Sequence, residues 1–211
     1  MSKHIYKLLN QGEDETLDYK QAITSASKIA KTMSAFANHK GGTLLVGVKD
    51  NRKVCGIQSE DEIYMLDMAA RFYCKPEIDL EIIRHQLGDK EVLECRIKEG
   101  TDKPYYAKDD EGKWWAYIRV KDNSLLASKI VLDVLKRGNS EKGAFIEFGH
   151  NEKAILEYLE TNHKVTLEQF RKLVNISKRR ASKILVNLIS AGVVRSHTTE
   201  KTEFYTRSNQ F

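Results

Sequence analysis

The sequence "FANHKGGTLLVGVKD", residues 36–50, constrains the fold more than any other part of the chain. A helix-type run, "SASKIAKTMSAFAN", leads into it and is ended by two glycines. Gly41 can adopt a positive φ, and Gly42 lets the chain turn directly into a strand. The residues that follow, "TLLVGV", are apolar enough for a central strand of a sheet. The stretch therefore predicts a helix, a tight turn and a central strand in direct succession.

The same turn is also a candidate contact for a phosphate group. Two glycines leave the backbone bare, so an anion can approach its N–H groups closely. Asn38, His39 and Lys40 lie on the turn and can reach a backbone phosphate. We therefore count Asn38, Lys40, Gly41 and Gly42 as candidate nucleic-acid contacts, beside the simpler interpretation of a tight turn alone.

The other elements of residues 1–140 predict a mixed sheet with flanking helices. "LDYKQ" is typical of a short strand, and "SEDEIYMLDMAARFY" of a helix in which Ser59 and Glu62 have the spacing of a capping box. Two hairpins follow, with turns at residues 87–89 and 109–112, and then a closing helix that ends at Gly138. Consecutive hairpins favour an α+β fold over a doubly wound sheet.

A polar segment with three glycines, residues 136–153, marks the predicted domain boundary. We assign residues 1–140 to a first domain, 141–150 to a linker and 151–211 to a second domain. Residues 1–150 carry 24 basic and 24 acidic side chains, whereas residues 151–211 carry 11 and 6. The formal excess of +5 thus lies in the second domain, which indicates a polyanionic partner.

Residues 151–211 follow the element order of a winged helix-turn-helix domain: helix, short helix, basic helix and hairpin. The basic helix lies in "NISKRRASKILVNLISAG", residues 175–192, with its cations at the N-terminal end. A recognition helix offers that end to the major groove, where hydroxyls suit phosphates and guanidinium groups suit guanine edges. The alternative is a winged helix used for protein contact. The predicted DNA contacts are Ser177, Lys178, Arg179, Arg180, Ser182 and Lys183 on the helix, and Arg195 and Lys201 on the wing.

The composition predicts a soluble, cytoplasmic protein with no membrane partner. Charged residues make up 31% of the chain, and no apolar run approaches the roughly 20 residues of a membrane helix. The N-terminus lacks the apolar core of a signal peptide. Cys55, Cys74 and Cys95 are odd in number and far apart, which favours buried thiols in a reducing compartment. A zinc site of Cys74, His85 and Cys95 would lack any C-x-x-C pair.

Three segments together resemble the successive motifs of the Schlafen-type AlbA-like domain. They are "GEDETLDYK" (12–20), "MSAFANHKGGTLLVGVKDNRKVCGI" (33–57) and "KPYYAKDDEGKWWAYIRVKDNS" (103–124). The resemblance implies a mixed sheet with flanking helices and an association with nucleic acid. Bacterial members often join this domain to a winged helix and are commonly described as candidate DNA-binding transcriptional regulators. Some bacterial relatives are labelled ATP-binding, but this chain lacks the G-x-x-x-x-G-K-[ST] sequence of a P-loop. We expect no cofactor for the leading interpretation.

The resemblance also implies an enzymatic alternative. Nuclease members have two acids five residues apart and a third after the "GV" strand, which correspond here to Glu13, Asp18 and Asp50. Three such carboxylates can hold Mg²⁺ or Mn²⁺ and activate water for phosphodiester cleavage. The chain departs from the pattern at Asp18, where the nucleases have glutamate. It also has one copy of the domain, whereas the eukaryotic nucleases pair two lobes, so a homodimer would be needed.

The sequence leaves three functions to distinguish. The leading interpretation is a non-enzymatic nucleic-acid-binding protein, specifically a bacterial DNA-binding transcriptional regulator. The first alternative is a metal-dependent RNA endonuclease of the Schlafen type. The second is a protein-interaction module with no role in nucleic-acid binding.

Overall fold

Two units make up the chain, Met1–Ala127 and Ser128–Phe211. The structure is a computed structural model, and it describes residues 2–138 and 149–208. Within those residues, no helix has both the length and the apolar character that crossing a bilayer requires.

The first unit has two four-stranded sheets. The order of the first sheet is β1-β2-β5-β4, and that of the second is β3-β6-β7-β8. Strands β1 and β2 are parallel, and the other named neighbours are antiparallel. This confirms the predicted α+β fold with a mixed sheet and flanking helices. The elements described in this unit are α1 (Ser2–Gln11), β1 (Leu17–Lys20), α2 (Ala26–Asn38), β2 (Gly42–Val46), α3 (Asp61–Phe72), β3 (Cys74–Lys75), β4 (Leu80–Leu87), β5 (Lys90–Ile97), β6 (Tyr106–Lys108), β7 (Trp114–Val120) and β8 (Asn123–Leu126).

Helix α2 buries one face among residues of both sheets. Met33 and Phe36 join Leu44 of β2 and Ala107 of β6 in one apolar cluster, in which all four are at most 1% exposed. Each large apolar side chain buried in this way contributes about 1.5–3 kcal/mol to stability. The helix that ends at the double glycine is therefore the central element of the first unit.

Helix α1 covers the other face of the first sheet and was not predicted from the sequence. Ile5 and Leu9 pack with Leu17, Tyr19 and Leu45 in a second apolar cluster. Leu44 and Leu45 belong to opposite clusters because successive residues of a strand face opposite sides of the sheet. The signal for α1 was present, since Ile5 and Leu9 are one helical turn apart.

The described part of the second unit contains helices and an antiparallel hairpin. Ile130 of its first helix packs in the same apolar cluster as Ile155, Leu185 and Tyr205. That helix had been predicted to close the first domain, yet the unit boundary precedes it. The predicted linker 141–150 lies outside the described residues except for its last two positions. The elements of this unit are α4 (Lys129–Gly138), α5 (His150–Asn162), α6 (Leu167–Leu173), α7 (Lys178–Ser190), β9 (Val194–Thr198) and β10 (Glu203–Arg207).

Capping residues fix where α6 begins. Thr166 Oγ1 accepts a hydrogen bond from the N–H of Gln169 at 3.2 Å, and Gln169 Oε1 accepts one from the N–H of Thr166 at 2.9 Å. This reciprocal pair is a capping box, so the predicted start of this helix at Thr166 is confirmed.

The capping box predicted at Ser59 and Glu62 does not form. Helix α3 begins at Asp61, after a residue whose side chain makes no capping bond. The Glu62 carboxylate is buried and accepts the backbone N–H groups of Ile23 at 2.9 Å and Gln58 at 2.7 Å. Glu62 therefore closes two loops, because their buried N–H groups need an acceptor.

Candidate nucleic-acid interface

The N-terminal half of α7 presents basic side chains to solvent. Ala181, Leu185 and Leu188 are fully buried in the core of the second unit, which fixes the inner side of the helix. The outer side carries the predicted DNA-binding residues. Ser182 is half-buried, and the exposed cations are Lys178, Arg179, Arg180 and Lys183.

Ser177 caps the first turn of α7. Its Oγ accepts a hydrogen bond from the backbone N–H of Arg180 at 3.3 Å. This satisfies one of the N–H groups that a helix leaves open at its start. The hydroxyl proton of the exposed Ser177 is still available to a phosphate oxygen.

In the described part of the chain, 2–138 and 149–208, the cations of α7 form no salt bridge, although the charge of Lys178 adds to that of Arg171 in lowering the pKa of the Glu168 carboxyl. The neighbouring helix α6 differs in this respect. Arg171 and Lys172 lie 2.6 and 3.8 Å from Glu168, and the hydrogen bond from Arg171 lowers the pKa of that carboxyl. The positive charge of the second unit is therefore concentrated on the outer side of α7.

The hairpin β9–β10 adds two exposed cations, Arg195 on β9 and Lys201 in the turn. Arg207 on β10 forms an ion pair with Glu160 of α5. The His197 ring is stacked on Phe204, with 4.9 Å between centroids. Arg195 and Lys201, the two wing residues that were predicted as DNA contacts, thus remain open to a ligand.

Packing explains both glycines of the turn after α2. Gly41 has a φ of +76°, and a Cβ at this position would lie 2.6 Å from the carbonyl oxygen of Ile97. A Cβ at Gly42 would lie 2.3 Å from the ring of Phe36. Both distances are well inside van der Waals contact, so the close approach of α2, β2 and β5 requires glycine. The tight-turn interpretation is sufficient for both residues.

Asn38 is used inside the fold, contrary to the prediction that it contacts a phosphate. The residue is 5% exposed. Its Nδ2 donates to the carbonyl oxygens of Tyr105 and Tyr117 at 2.8 Å each, and its Oδ1 accepts the N–H of Tyr105 at 2.7 Å. Both amide protons are therefore committed, and Asn38 ties α2 to the second sheet.

Lys40 is the exposed cation of the same turn. It lines an open cavity of about 330 Å³ beside Thr43 and Arg96. The neighbouring His39 is half-buried, and burial lowers its pKa although Glu15 lies 3.8 Å away. His39 is therefore neutral at pH 7, and Lys40 carries the positive charge of the turn.

Asp18, one of the three acids of the nuclease alternative, is neutralised by cations of the protein. Its Oδ1 accepts a hydrogen bond from Arg119 Nη1 at 3.1 Å, and the Lys20 ammonium group contacts its Oδ2. The Asp18 and Arg119 side chains are 5% and 1% exposed. Between them, these two cations contact both carboxylate oxygens and offset the negative charge that would attract a metal ion.

Glu13 and Asp50 do not complete a metal site with Asp18. Glu13 Oε1 accepts the backbone N–H of Tyr19 at 2.8 Å, and Asp50 is exposed in the turn after β2. No three His, Cys, Asp or Glu side chains among the described residues are grouped as metal ligands. Within the described residues, Glu13, Asp18 and Asp50 therefore are not grouped as the Mg²⁺ or Mn²⁺ ligands that the nuclease alternative predicts.

Arg119 is the buried cation that sequence reasoning missed. Besides Asp18, it donates to the carbonyl oxygen of Asp14 at 2.8 Å, and its guanidinium carbon lies 4.7 Å from the centroid of the Phe36 ring. The residue connects β7 to β1 and α2. A lone arginine within "WWAYIRV" was the available signal, because a charge in a mostly apolar strand needs a partner.

Cys74, His85 and Cys95, the residues of the zinc alternative, are also not prepared to bind a metal ion. Burial raises the pKa of the Cys74 and Cys95 thiols to about 12, which disfavours the thiolate that zinc requires. His85 Nε2 is hydrogen-bonded to Glu94 Oε2 at 2.7 Å. The thiols of Cys74 and Cys95 are therefore core groups.

A family model described as "Schlafen, AlbA_2" matches residues 13–128, which is more than half of the chain. The matched range begins before β1 and ends after β8. No curated protein matches the chain.

Two solved structures are similar to parts of the chain. One is the DIP2311 protein of Corynebacterium diphtheriae, at 16% identity and a TM-score of 0.47, with 68% of this chain and 34% of that one covered. The other is the N-terminal domain of a Nitrosomonas europaea protein described as related to the ATP-dependent DNA helicase RecG. It has 23% identity and a TM-score of 0.40, with 58% of this chain and 94% of that one covered. The chain spans about a third of the DIP2311 protein.

Proposed function

Because the chain belongs to the Schlafen, AlbA_2 family, we propose that it is a nucleic-acid-binding protein whose second unit is a winged helix that binds duplex DNA. Family membership indicates a role connected with nucleic acid. The DNA contact is assigned to the second unit on one observation, the exposed and unpaired basic side of α7. The role in the cell that fits a duplex-binding module of this kind is bacterial transcriptional regulation.

The order of elements supports a recognition-helix position for α7. Helices α5, α6 and α7 precede the hairpin β9–β10, as in a winged helix. Four residues, 174–177, separate α6 from α7, and Asn175 among them has a φ of +51°. A turn of three or four residues between the last two helices is typical of the helix-turn-helix motif.

The chemistry of the helix start supports a phosphate and base contact. The first turn of a helix has free backbone N–H groups and the positive end of the helix dipole. Arg179 and Arg180 add guanidinium groups that can pair with O6 and N7 of guanine, while Lys178 and Lys183 suit phosphates. A helix start with this set of side chains has the right chemistry for the major groove.

We assign the hairpin to the same DNA contact. In a winged helix the hairpin lies beside the recognition helix and contacts the DNA backbone. Arg195 and Lys201 are exposed cations of that hairpin, and each can neutralise one phosphate. The proposal therefore assigns base contacts to α7 and backbone contacts to both α7 and the hairpin.

The test is a charge reversal on α7 in the full chain. We expect Arg179→Glu with Arg180→Glu to weaken binding of a labelled duplex by at least about 100-fold at low salt, because two attractive contacts become repulsive. Binding would be measured by fluorescence anisotropy. The matched control is Lys3→Glu with Lys7→Glu, which makes the same charge change at exposed positions of α1.

The control distinguishes loss of a specific contact on α7 from the effect of lowering the net charge of the chain. The α1 variant should bind the duplex within about threefold of the unaltered chain, since a remote exposed charge acts only through screened, long-range forces. Equal losses in the two variants would contradict the assignment to α7. Unchanged binding by the α7 variant would do the same, and would favour a winged helix that contacts protein instead.

A further inference from the structure

The second sheet of the first unit has an outer face that the duplex-binding proposal does not use. Cys74 and Ala107 are paired across β3 and β6 and are buried against α2. Since side chains alternate along a strand, Lys75 and Tyr106 lie on the opposite face. The outer face therefore consists of the alternate residues Lys75, Tyr106, Lys108, Trp114, Ala116, Ile118, Val120, Asn123 and Leu125. Its exposed members are Lys75, Trp114 and Asn123, Ala116 is buried, and the others are half-buried.

Two aromatic rings on this outer face each lie opposite a lysine. Lys75 is paired with Tyr106, and Lys108 with Trp114. Trp114 is 39% exposed, and the Lys108 ammonium group lies 5.9 Å from the centroid of its indole ring. Tyr106 and Trp114 are diagonal neighbours in the β6–β7 register, which places their Cβ atoms within about 8 Å of each other. Two rings and two cations thus share a single patch.

The charge of the outer face has one sign. None of its alternate residues is an acid. The acids of the nearby 109–111 turn are used in other contacts. Asp109 accepts the Trp115 indole N–H at 2.8 Å, Asp110 accepts the Ser27 hydroxyl at 2.5 Å, and Glu111 pairs with Lys113 at 2.6 Å.

We propose that this outer face binds an unpaired DNA strand, with bases stacked on Trp114 and Tyr106 and phosphates at Lys75 and Lys108. Aromatic rings interleaved with cations are the chemistry by which proteins hold single strands, because every base has a face that can stack. Lys108 then turns from the indole ring to a phosphate as a base takes its place. The choice of DNA as the polymer rests on the proposed function of the second unit.

The test uses the full chain and a labelled twelve-nucleotide oligo(dT). Trp114→Leu with Tyr106→Leu should weaken its binding by at least about fivefold, since each stacked base contributes measurably to affinity. The matched control is Tyr64→Leu with Phe72→Leu, which removes two aromatic side chains of α3 that are 65% and 63% exposed. The control should bind as the unaltered chain does, and equal losses in both variants would overturn the proposal.

Two further ligands test the stacking and the choice of polymer. An abasic oligonucleotide of the same length keeps the phosphates and lacks the bases, so it should bind at least about fivefold more weakly than oligo(dT). Equal binding of the abasic strand would overturn the stacking. Tighter binding of oligo(U) than of oligo(dT) would overturn the choice of DNA. Lys108→Gln, at a half-buried position beside the Trp114 ring, should also weaken oligo(dT) binding and serves if the double variant fails to fold.

The same variants separate this inference from the proposed function. Trp114→Leu with Tyr106→Leu should keep the duplex affinity, and Arg179→Glu with Arg180→Glu should keep at least part of the oligo(dT) affinity. Loss of oligo(dT) binding in the α7 variant alone would overturn the sheet face as the single-strand site. Unchanged duplex binding by the α7 variant would contradict the proposed function and leave the oligo(dT) result to be judged by itself.

Discussion

At the scale of single residues, buried polar side chains are where reasoning from sequence failed. Asp18 was a candidate metal ligand, Asn38 a candidate phosphate contact and Glu62 a candidate cap, and each is used inside the fold instead. One partner of Asp18, Lys20, is two residues away, but its buried partner Arg119 is 101 residues further along the chain. The spacing of residues in a short motif does not reveal a partner that is so far away in the sequence. A polar residue next to a turn could therefore be mistaken for a metal or phosphate ligand.

The buried ion pair predicts that substituting Asp18 lowers the free energy of unfolding much more than substituting Asp50. Asp18→Asn leaves the Arg119 guanidinium without its charged partner, and breaking a buried pair from one side typically costs about 3–5 kcal/mol. Asp50→Asn alters an exposed acid and should change the free energy of unfolding by less than about 0.5 kcal/mol. Urea denaturation of the two variants measures the difference. Similar small changes in both would show that Asp18 is not held as described.

At the scale of elements, the predicted helices and hairpins were found, whereas of the caps predicted at Ser59 and Thr166 only the second forms, and the assignment of one helix to its unit was wrong. The helix before the double glycine, the two predicted hairpins of the first unit and the helices from α4 to α7 lie where the pattern placed them, whereas the β7–β8 hairpin was not predicted. Helix α1 was missed although Ile5 and Leu9 have helical spacing. Helix α4 was assigned to the first domain because it follows that domain in sequence, whereas its apolar face packs with Ile155 and Leu185.

The capping box of α6 gives a prediction at this scale. Thr166→Ala removes the acceptor for the N–H of Gln169 and should lower the free energy of unfolding by about 1 kcal/mol. The control is Thr101→Ala, whose hydroxyl contacts Asp102 on the surface. Far-UV circular dichroism in a urea titration follows the helices of both variants. An equal effect of the two substitutions would contradict the capping role of Thr166.

At the scale of the whole molecule, the sequence predicted the fold and the distribution of charge better than it predicted functional sites. The excess of basic residues in 151–211 corresponds to the unpaired cations of α7 and of the hairpin. The mixed sheet followed from the double-glycine stretch and the hairpins. Glu13, Asp18 and Asp50 were predicted as metal ligands because their spacing resembles that of the nucleases. That comparison took no account of the cations that the fold brings to Asp18. The aromatic face of the second sheet became visible only from strand register.

The salt dependence of duplex binding by the full chain tests the central claim most directly. Six cations are assigned to the duplex: Lys178, Arg179, Arg180, Lys183, Arg195 and Lys201. Each phosphate contact contributes about −0.9 to the slope of log K against log salt, so four to six contacts predict a slope between about −3.6 and −5.4. Arg179→Glu with Arg180→Glu should make that slope shallower, because the positive charge that faces the phosphates falls. A slope near zero, or the same slope in the unaltered chain and in the α7 variant, would contradict duplex binding through the second unit.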